Sequence, residues 1–232
     1  MDEGTIRQRA GAVVEKIIIQ FLPSPTFAAY LAMPLISEVV KELRASGFRT
    51  LVPLPKLSVL LQAYLTTLSL QGEVWEAGVY QGGTARLLGR AINDNRDETV
   101  LRLFDTFIGM PDVDPLKDMH LRGDFADTNL DAVRNFVGLE PYISFHPGFI
   151  PDTMKGLERS RIKFAHIDLD IYKSITDTLE FIYPRMSQGV LVFDDYGAAT
   201  CPGALEAVDE FFAGRAETPL SLTTGQAVVF KF

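Results

Sequence analysis

Apolar residues recur at helical spacing along the first third of the chain. Ile6, Ala10, Val13, Val14, Ile17 and Phe21 line one face, and Pro23 and Pro25 end that segment. Leu35 to Leu43 predicts a second helix, stopped at Ser46-Gly47. Lys56 to Leu70 predicts a third, after Pro53 and Pro55. None of these segments shows a cluster of chemically active side chains. Residues 1–70 therefore read as a helical appendage used for packing, as a lid or for contacts between copies.

From residue 73 the pattern changes to short apolar runs alternating with helical ones. Val74 to Val79, Val100 to Phe104, Tyr142 to Phe145, Ile162 to Ile167 and Val190 to Phe193 predict strands. Between them, helices are expected over Thr84 to Ile92, Asn129 to Val137, Ile175 to Met186 and Ala204 to Phe212. Leu220 to Thr223 and Ala227 to Phe230 flank Thr224-Gly225, a hairpin signal. Strands alternating with helices imply an α/β domain over 71–232, with a parallel sheet covered on both faces. Pro111 to Gly123 reads as a loop long enough to suspect function, and contains Asp112, Asp114 and Asp118.

Composition narrows the class. The chain is 47% hydrophobic and 22% charged, which excludes a disordered chain. Thirty acidic residues against 22 Lys and Arg leave a net charge of −8, which disfavours nucleic acid or an anionic membrane as partner. With one cysteine, Cys201, a disulfide framework within the chain is excluded. The acidic start Met1-Asp2-Glu3-Gly4 does not look like a basic leader, and the apolar stretch Ile17 to Val40 is interrupted by Gln20, Pro23, Ser24, Pro25 and Glu38. A cytoplasmic protein is expected. The apolar helices point to a homo-oligomer.

Ligands of parallel α/β sheets bind beyond the carboxyl ends of the strands. After the first strand of the domain comes E-A-G-V-Y-Q-G-G-T, Glu76 to Thr84. Its glycines let a ligand approach the backbone, or merely serve a tight turn. After the second strand comes Asp105. An acid here can accept from both hydroxyls of a ribose, although a turn or N-cap aspartate reads the same way. Together the two favour an adenosine-containing cofactor. Asp168 and Asp170 come after one later strand, Asp194 and Asp195 after the next. Carboxylates packed together repel and are costly to bury without a cation. Oxygen-only ligands select a hard divalent ion, Mg2+ or else Mn2+ or Ca2+. His166 reads as a core residue or a support to the site, and Cys201 as structural.

The blocks E-A-G-V-Y-Q-G-G (Glu76 to Gly83), D-T-F-I-G-M-P (Asp105 to Pro111), G-F-I-P-D-T (Gly148 to Thr153), H-I-D-L-D-I-Y-K-S (His166 to Ser174), F-D-D-Y-G (Phe193 to Gly197) and P-G-A-L-E-A-V-D-E-F (Pro202 to Phe211) occur in this order. In them the chain resembles the TylF-type (macrocin) O-methyltransferase family. The family comprises S-adenosylmethionine-dependent enzymes that methylate sugar hydroxyls of natural products. The resemblance implies a class I methyltransferase fold: a Rossmann-like sheet of seven strands, the last antiparallel, with helices on both faces. It implies S-adenosylmethionine contacts at Glu76, Gly78 and Asp105, and in the glycine turn at Gly82 and Thr84. It further implies Mg2+ held by Asp168, Asp194 and Asp195, Asp170 as general base, and a small hydroxylated, sugar-containing substrate. In the family the first block more usually reads E-x-G-V-W-R-G-G, so Tyr80 and Gln81 depart from it. Two other classes fit parts of the pattern: a glycosyltransferase using D-x-D for metal, and a cofactor-binding protein without turnover.

Overall fold

The computed structural model describes residues 33–138 and 140–232. The helix expected over Ile6 to Phe21 lies outside the described residues. Two helices, α1 (Pro34–Ser46) and α2 (Leu54–Leu65), precede the sheet. Then come β1 (Glu73–Ala77), α3 (Gly83–Asn95), β2 (Leu101–Asp105), α4 (Leu130–Val137), β3 (Ile143–Pro147) and β4 (Ile162–Ile167). The chain continues through α5 (Tyr172–Ile182), β5 (Gly189–Phe193), α6 (Pro202–Phe212), β6 (Leu220–Ser221) and β7 (Ala227–Lys231). The seven strands form one sheet in the order β3-β2-β1-β4-β5-β7-β6, parallel except where β7 runs antiparallel to β5 and β6. This is the sheet expected from the sequence, hairpin included.

Alternation along each strand separates two apolar layers. Val74, Leu103, Phe164, Val190 and Val192 face α1 to α4, whereas Trp75, Phe104, Ala165, Leu191 and Phe193 face α5 and α6. Ile36, Val39, Leu57, Leu60 and Tyr64 of the first two helices lie in the same cluster as the sheet residues Val74 and Phe164. These helices are thus part of the core. The same parity puts Glu76 with Val74, His166 with Phe164 and Asp194 with Val192, on the side that α2 covers.

Two helix ends differ from the apolar pattern for local reasons. α2 stops at Leu65 rather than Leu70, where the Thr66 and Thr67 hydroxyls donate to the Ala63 and Tyr64 carbonyls at 2.7 and 2.7 Å. α5 begins at Tyr172, before its first expected residue. The Tyr172 amide is capped by the Asp118 carboxylate at 2.8 Å, a partner 54 residues away. Beyond Ile182 the chain tightens into a 3-10 turn, Tyr183–Arg185, at Pro184.

One buried ion pair ties the layers together. Lys163 on β4 is 1% exposed and donates to both oxygens of Asp97 at 2.8 Å, while the Tyr64 hydroxyl of α2 donates to Asp97 at 2.7 Å. Removing one partner of such a pair strands a buried charge. Lys163→Met is therefore expected to lower the unfolding free energy by about 3–5 kcal/mol, read from urea unfolding. A loss below ~1 kcal/mol would mean that the pair behaves like a surface one.

Candidate active site

The carboxyl ends of β1, β2, β4 and β5 open into one cavity. Its wall includes Gly78, Thr84, Asp105, Asp168, Asp170, Asp194 and Asp195. Gly78 is fixed by a neighbouring strand: with φ +92°, a Cβ there would lie 1.7 Å from the Asp168 carbonyl oxygen. The Asp168 amide in turn donates to the Ala77 carbonyl at 2.8 Å. This close approach brings the glycine turn and the first acidic pair together. Asp105 braces the same turn. Its Oδ2 accepts from the Val79 and Tyr80 amides at 2.8 and 2.8 Å, and its Oδ1 from Phe107 at 2.7 Å. Oδ1 keeps acceptor capacity for a further donor.

Two residues expected to touch cofactor stand elsewhere. Gly82 is not in the cavity wall; a Cβ there would meet Val137 at 2.6 Å, so this glycine lets the start of α3 pack on α4. Glu76 is fully buried in β1 behind the cavity, because its strand parity turns it into the layer below. There its Oε1 lies 3.2 Å from Nδ1 of His166, its register partner on β4.

Tyr80 and Gln81, the two departures from the family pattern, join the long loop to the segment before α2. Tyr80 donates to Asp127 at 2.9 Å, Gln81 donates to the Asp127 carbonyl at 2.8 Å, and the Arg49 amide donates to Gln81 at 3.1 Å. The Arg49 guanidinium pairs with the Asp127 carboxylate.

The four aspartates divide into unequal environments. Asp194 is nearly inaccessible and has both oxygens engaged. Its Oδ1 accepts from Gln226 at 2.9 Å and lies 3.6 Å from His166 Nε2, while its Oδ2 accepts from Lys56 at 2.6 Å. The Lys56 ammonium also donates to the Asp194 carbonyl at 2.8 Å and to Asp195 at 3.4 Å. Asp195 Oδ2 is buried without a hydrogen-bond partner. Asp168, Asp170 and Asp195 each offer an oxygen within 4.8 Å of the others. Asp168 and Asp194 also lie within 4.8 Å of each other in a second group with His166, so Asp168 is common to both groups, and Asp194 shares its oxygens with Lys56 and Gln226. An oxygen-only cluster with an orphaned buried oxygen fits a hard divalent ion.

Electrostatics reflects this crowding. Burial, then repulsion from Asp194 and Asp195, holds the Asp168 carboxyl well above its ordinary pKa. Burial and Asp195 do the same to Asp170. Burial would also raise Asp194, but His166 and Lys56 outweigh it and keep that group a carboxylate. Burial disfavours charge on His166, yet Asp194 and Glu76 overcome it and raise its pKa to about 9. Asp170 also adopts a left-handed backbone, φ +60°, uncommon for a non-glycine residue and frequent at functional sites.

Sequence reasoning does not single out Lys56 or Gln226. Lys56 carries a usable signal, as the one charged residue in the helix LPKLSVLLQAYL. Gln226 is a polar residue at the mouth of an apolar strand, between Gly225 and Ala227, and is fully buried.

A histidine whose folded pKa is raised contributes stability that is complete below its ordinary 6.5 and is lost as pH rises through about 9. NMR of the three histidine rings checks this. His166 is expected to keep imidazolium shifts above neutral pH. His146, lowered first by burial and then by Arg102, is expected to be neutral there. A His166 titration midpoint below that of His146 would contradict the buried imidazolium.

Comparison with known proteins agrees with this geometry. The family model described as macrocin-O-methyltransferase (TylF) matches residues 54–231. The tetracenomycin-C 4'-O-methyltransferase of Streptomyces olivaceus, acting on a 2,3-dimethoxy-alpha-L-rhamnosyl derivative by its name, is 32% identical over 67% of this chain and 66% of its own. The demethyldecarbamoylnovobiocin O-methyltransferase of Streptomyces niveus is 32% identical over 62% of this chain and 60% of its own. The chain thus spans slightly under two thirds of the length of these two relatives. The solved O-methyltransferase NovP superposes with a TM-score of 0.70 at 26% identity, covering 79% of this chain and 82% of NovP. A calicheamicin methyltransferase shares the fold with a TM-score of 0.68 at 18% identity, over 89% and 93% of the two chains. The acidic blocks at the ends of β4 and β5, the glycine turn after β1 and the segment carrying Lys56 all fall inside the matched range, and the chain belongs to the macrocin O-methyltransferase (TylF) family.

Proposed function

We propose that this protein transfers a methyl group from S-adenosylmethionine to a hydroxyl of a sugar or glycosylated natural product, with Mg2+ as a required ion. The observation that supports this most is the group of four aspartates at the ends of β4 and β5, facing the glycine turn across one cavity. The family supports the cofactor, and relatives named for a rhamnosylated tetracenomycin and for demethyldecarbamoylnovobiocin support the acceptor class.

Each part of the cavity has its own role. Asp105 and the backbone of the Gly78 to Thr84 turn hold the cofactor's polar groups, with Asp105 kept rigid by the three amides it accepts from. Asp168, Asp194 and Asp195 hold the divalent ion. For Asp194 to take part, an oxygen now shared with Lys56 must become available. When bound, the ion lowers the pKa of a coordinated hydroxyl and orients its oxygen. Asp170 takes the hydroxyl proton. Asp170 is the carboxylate of the four left outside this ligand set, and it lines the cavity beside the ion's ligands. As that O–H bond breaks, the oxygen forms its bond to the methyl carbon, and the S–CH3 pair returns to sulfur. The products are a methyl ether, S-adenosylhomocysteine and protonated Asp170. Phe149, 45% exposed, lines the cavity with Met110, Phe125 and Ile150, and these side chains give an apolar wall for an aglycone.

Asp170→Asn is expected to reduce kcat about 10²–10⁴-fold while leaving S-adenosylhomocysteine affinity within a factor of a few. Equal loss of turnover and cofactor binding would overturn the base assignment. A chelator is expected to stop turnover and added Mg2+ to restore it; full activity in chelator would refute the ion's role.

A further inference from the structure

We propose that His120, Asp170 and Cys201 form a second cation site, for Zn2+, whose occupation takes Asp170 out of methyl transfer. The three side chains come from the long loop between β2 and α4, the segment after β4 and the N-cap of α6. Their donor atoms make a nearly regular triangle. Cys201 Sγ lies 3.4 Å from Asp170 Oδ1 and 3.6 Å from His120 Nε2, and His120 Nε2 lies 3.8 Å from Asp170 Oδ1. A tetrahedral zinc with ordinary bonds to sulfur, nitrogen and oxygen separates its ligands by about 3.3–3.6 Å. Both edges to the sulfur fall in this range, and the His120–Asp170 edge must shorten by a few tenths of an ångström when an ion enters.

The supporting contacts also have the form of a metal site. A zinc-ligating histidine is usually oriented by a carboxylate on its other nitrogen. Here His120 Nδ1 lies 3.2 Å from Asp124 Oδ2, and that same oxygen accepts the Leu121 amide at 3.0 Å. The loop bearing His120 is anchored two residues earlier by Asp118, which is 8% exposed. Its Oδ1 caps α5 at Tyr172 and its Oδ2 accepts the Asp114 amide at 3.1 Å. Gly203 makes room for this anchor, since a Cβ there would meet Asp118 Oδ1 at 2.1 Å. Asp118 thus ties the loop that carries His120 to the starts of α5 and α6.

Its chemistry differs from that of the all-oxygen cluster beside it. One sulfur, one nitrogen and one oxygen suit a borderline-soft ion, whereas Mg2+ has little affinity for thiolate or imidazole. On binding, the Cys201 S–H bond breaks, an S–Zn bond forms and the proton leaves to solvent. Asp170 Oδ1 becomes a ligand and no longer takes a proton from substrate. Three protein ligands leave a fourth position open. The inhibitory consequence rests on Asp170 being the base; the binding site itself does not.

Co2+ is the probe that separates the two. The chain has one cysteine, so a thiolate-to-cobalt charge-transfer band in the near ultraviolet reports Cys201 alone. With the full chain in excess Mg2+, Co2+ is expected to produce that band and Zn2+ to bleach it. Cys201→Ser is expected to abolish it, and Asp124→Asn to weaken Co2+ binding about 10–100-fold through loss of the histidine's support. Absence of the band in the wild type, or Zn2+ affinity unchanged in both Cys201→Ser and His120→Ala, would overturn the site. In methyl-transfer assays, Zn2+ is expected to inhibit the wild type and to inhibit Cys201→Ser at least tenfold less potently, each relative to its own zinc-free rate. Equal inhibition of both, with the cobalt band present, would remove the regulatory role and leave the site standing.

Discussion

Bringing like charges together out of water is the constraint on which the rest of this structure depends. Asp168, Asp170, Asp194 and Asp195 converge at the ends of two adjacent parallel strands, β4 and β5. Burying an uncompensated carboxylate costs several kcal/mol or forces it to bind a proton. Both responses are visible. His166 and Lys56 supply positive charge that keeps Asp194 ionised, while Asp168 and Asp170 have pKa values pushed well upward. Asp195, with one oxygen buried and unpartnered, marks where the compensation falls short.

Much of the surrounding architecture serves this cluster. α2 lies over the face on which Glu76, His166 and Asp194 share parity, and from its first turn Lys56 reaches Asp194. The β6–β7 hairpin does more than close the sheet edge, because Gln226 at its turn donates to the other oxygen of Asp194. Gly78 admits the Asp168 carbonyl, so the glycine turn and the first acidic pair are built together. The long loop is stapled by Asp118 to the start of α5, which places His120 beside Asp170. Elements distant in sequence therefore meet within a few ångströms of four carboxylates.

Strands, helices, the antiparallel hairpin and the position of the acidic pairs are legible in the sequence. They depend on the apolar period and on the residue types at the end of each strand, and both are local signals. The division of labour inside the cluster is not legible. Which aspartate is already paired depends on Lys56 and Gln226, placed 138 and 32 residues from Asp194. Glu76 opens a ligand-binding motif and so reads as a cofactor contact, but its parity buries it against His166. Gly82 reads in the same way, and its space is used by Val137 instead. Cys201 reads as structural, and only the fold of the loop brings His120 and Asp170 to its sulfur. In each case the residue type is visible and its partner is not.

The acidic cluster is, in this account, a prepared cation site beside a cofactor turn. Calorimetric titration of Mg2+ into the protein saturated with S-adenosylhomocysteine tests this most directly, with Asp168→Ala alongside. The account predicts one ion per chain for the wild type. It predicts no measurable ion binding for Asp168→Ala, whose affinity for S-adenosylhomocysteine is retained. Absence of Mg2+ binding in the wild type, or binding unchanged by Asp168→Ala, would contradict it.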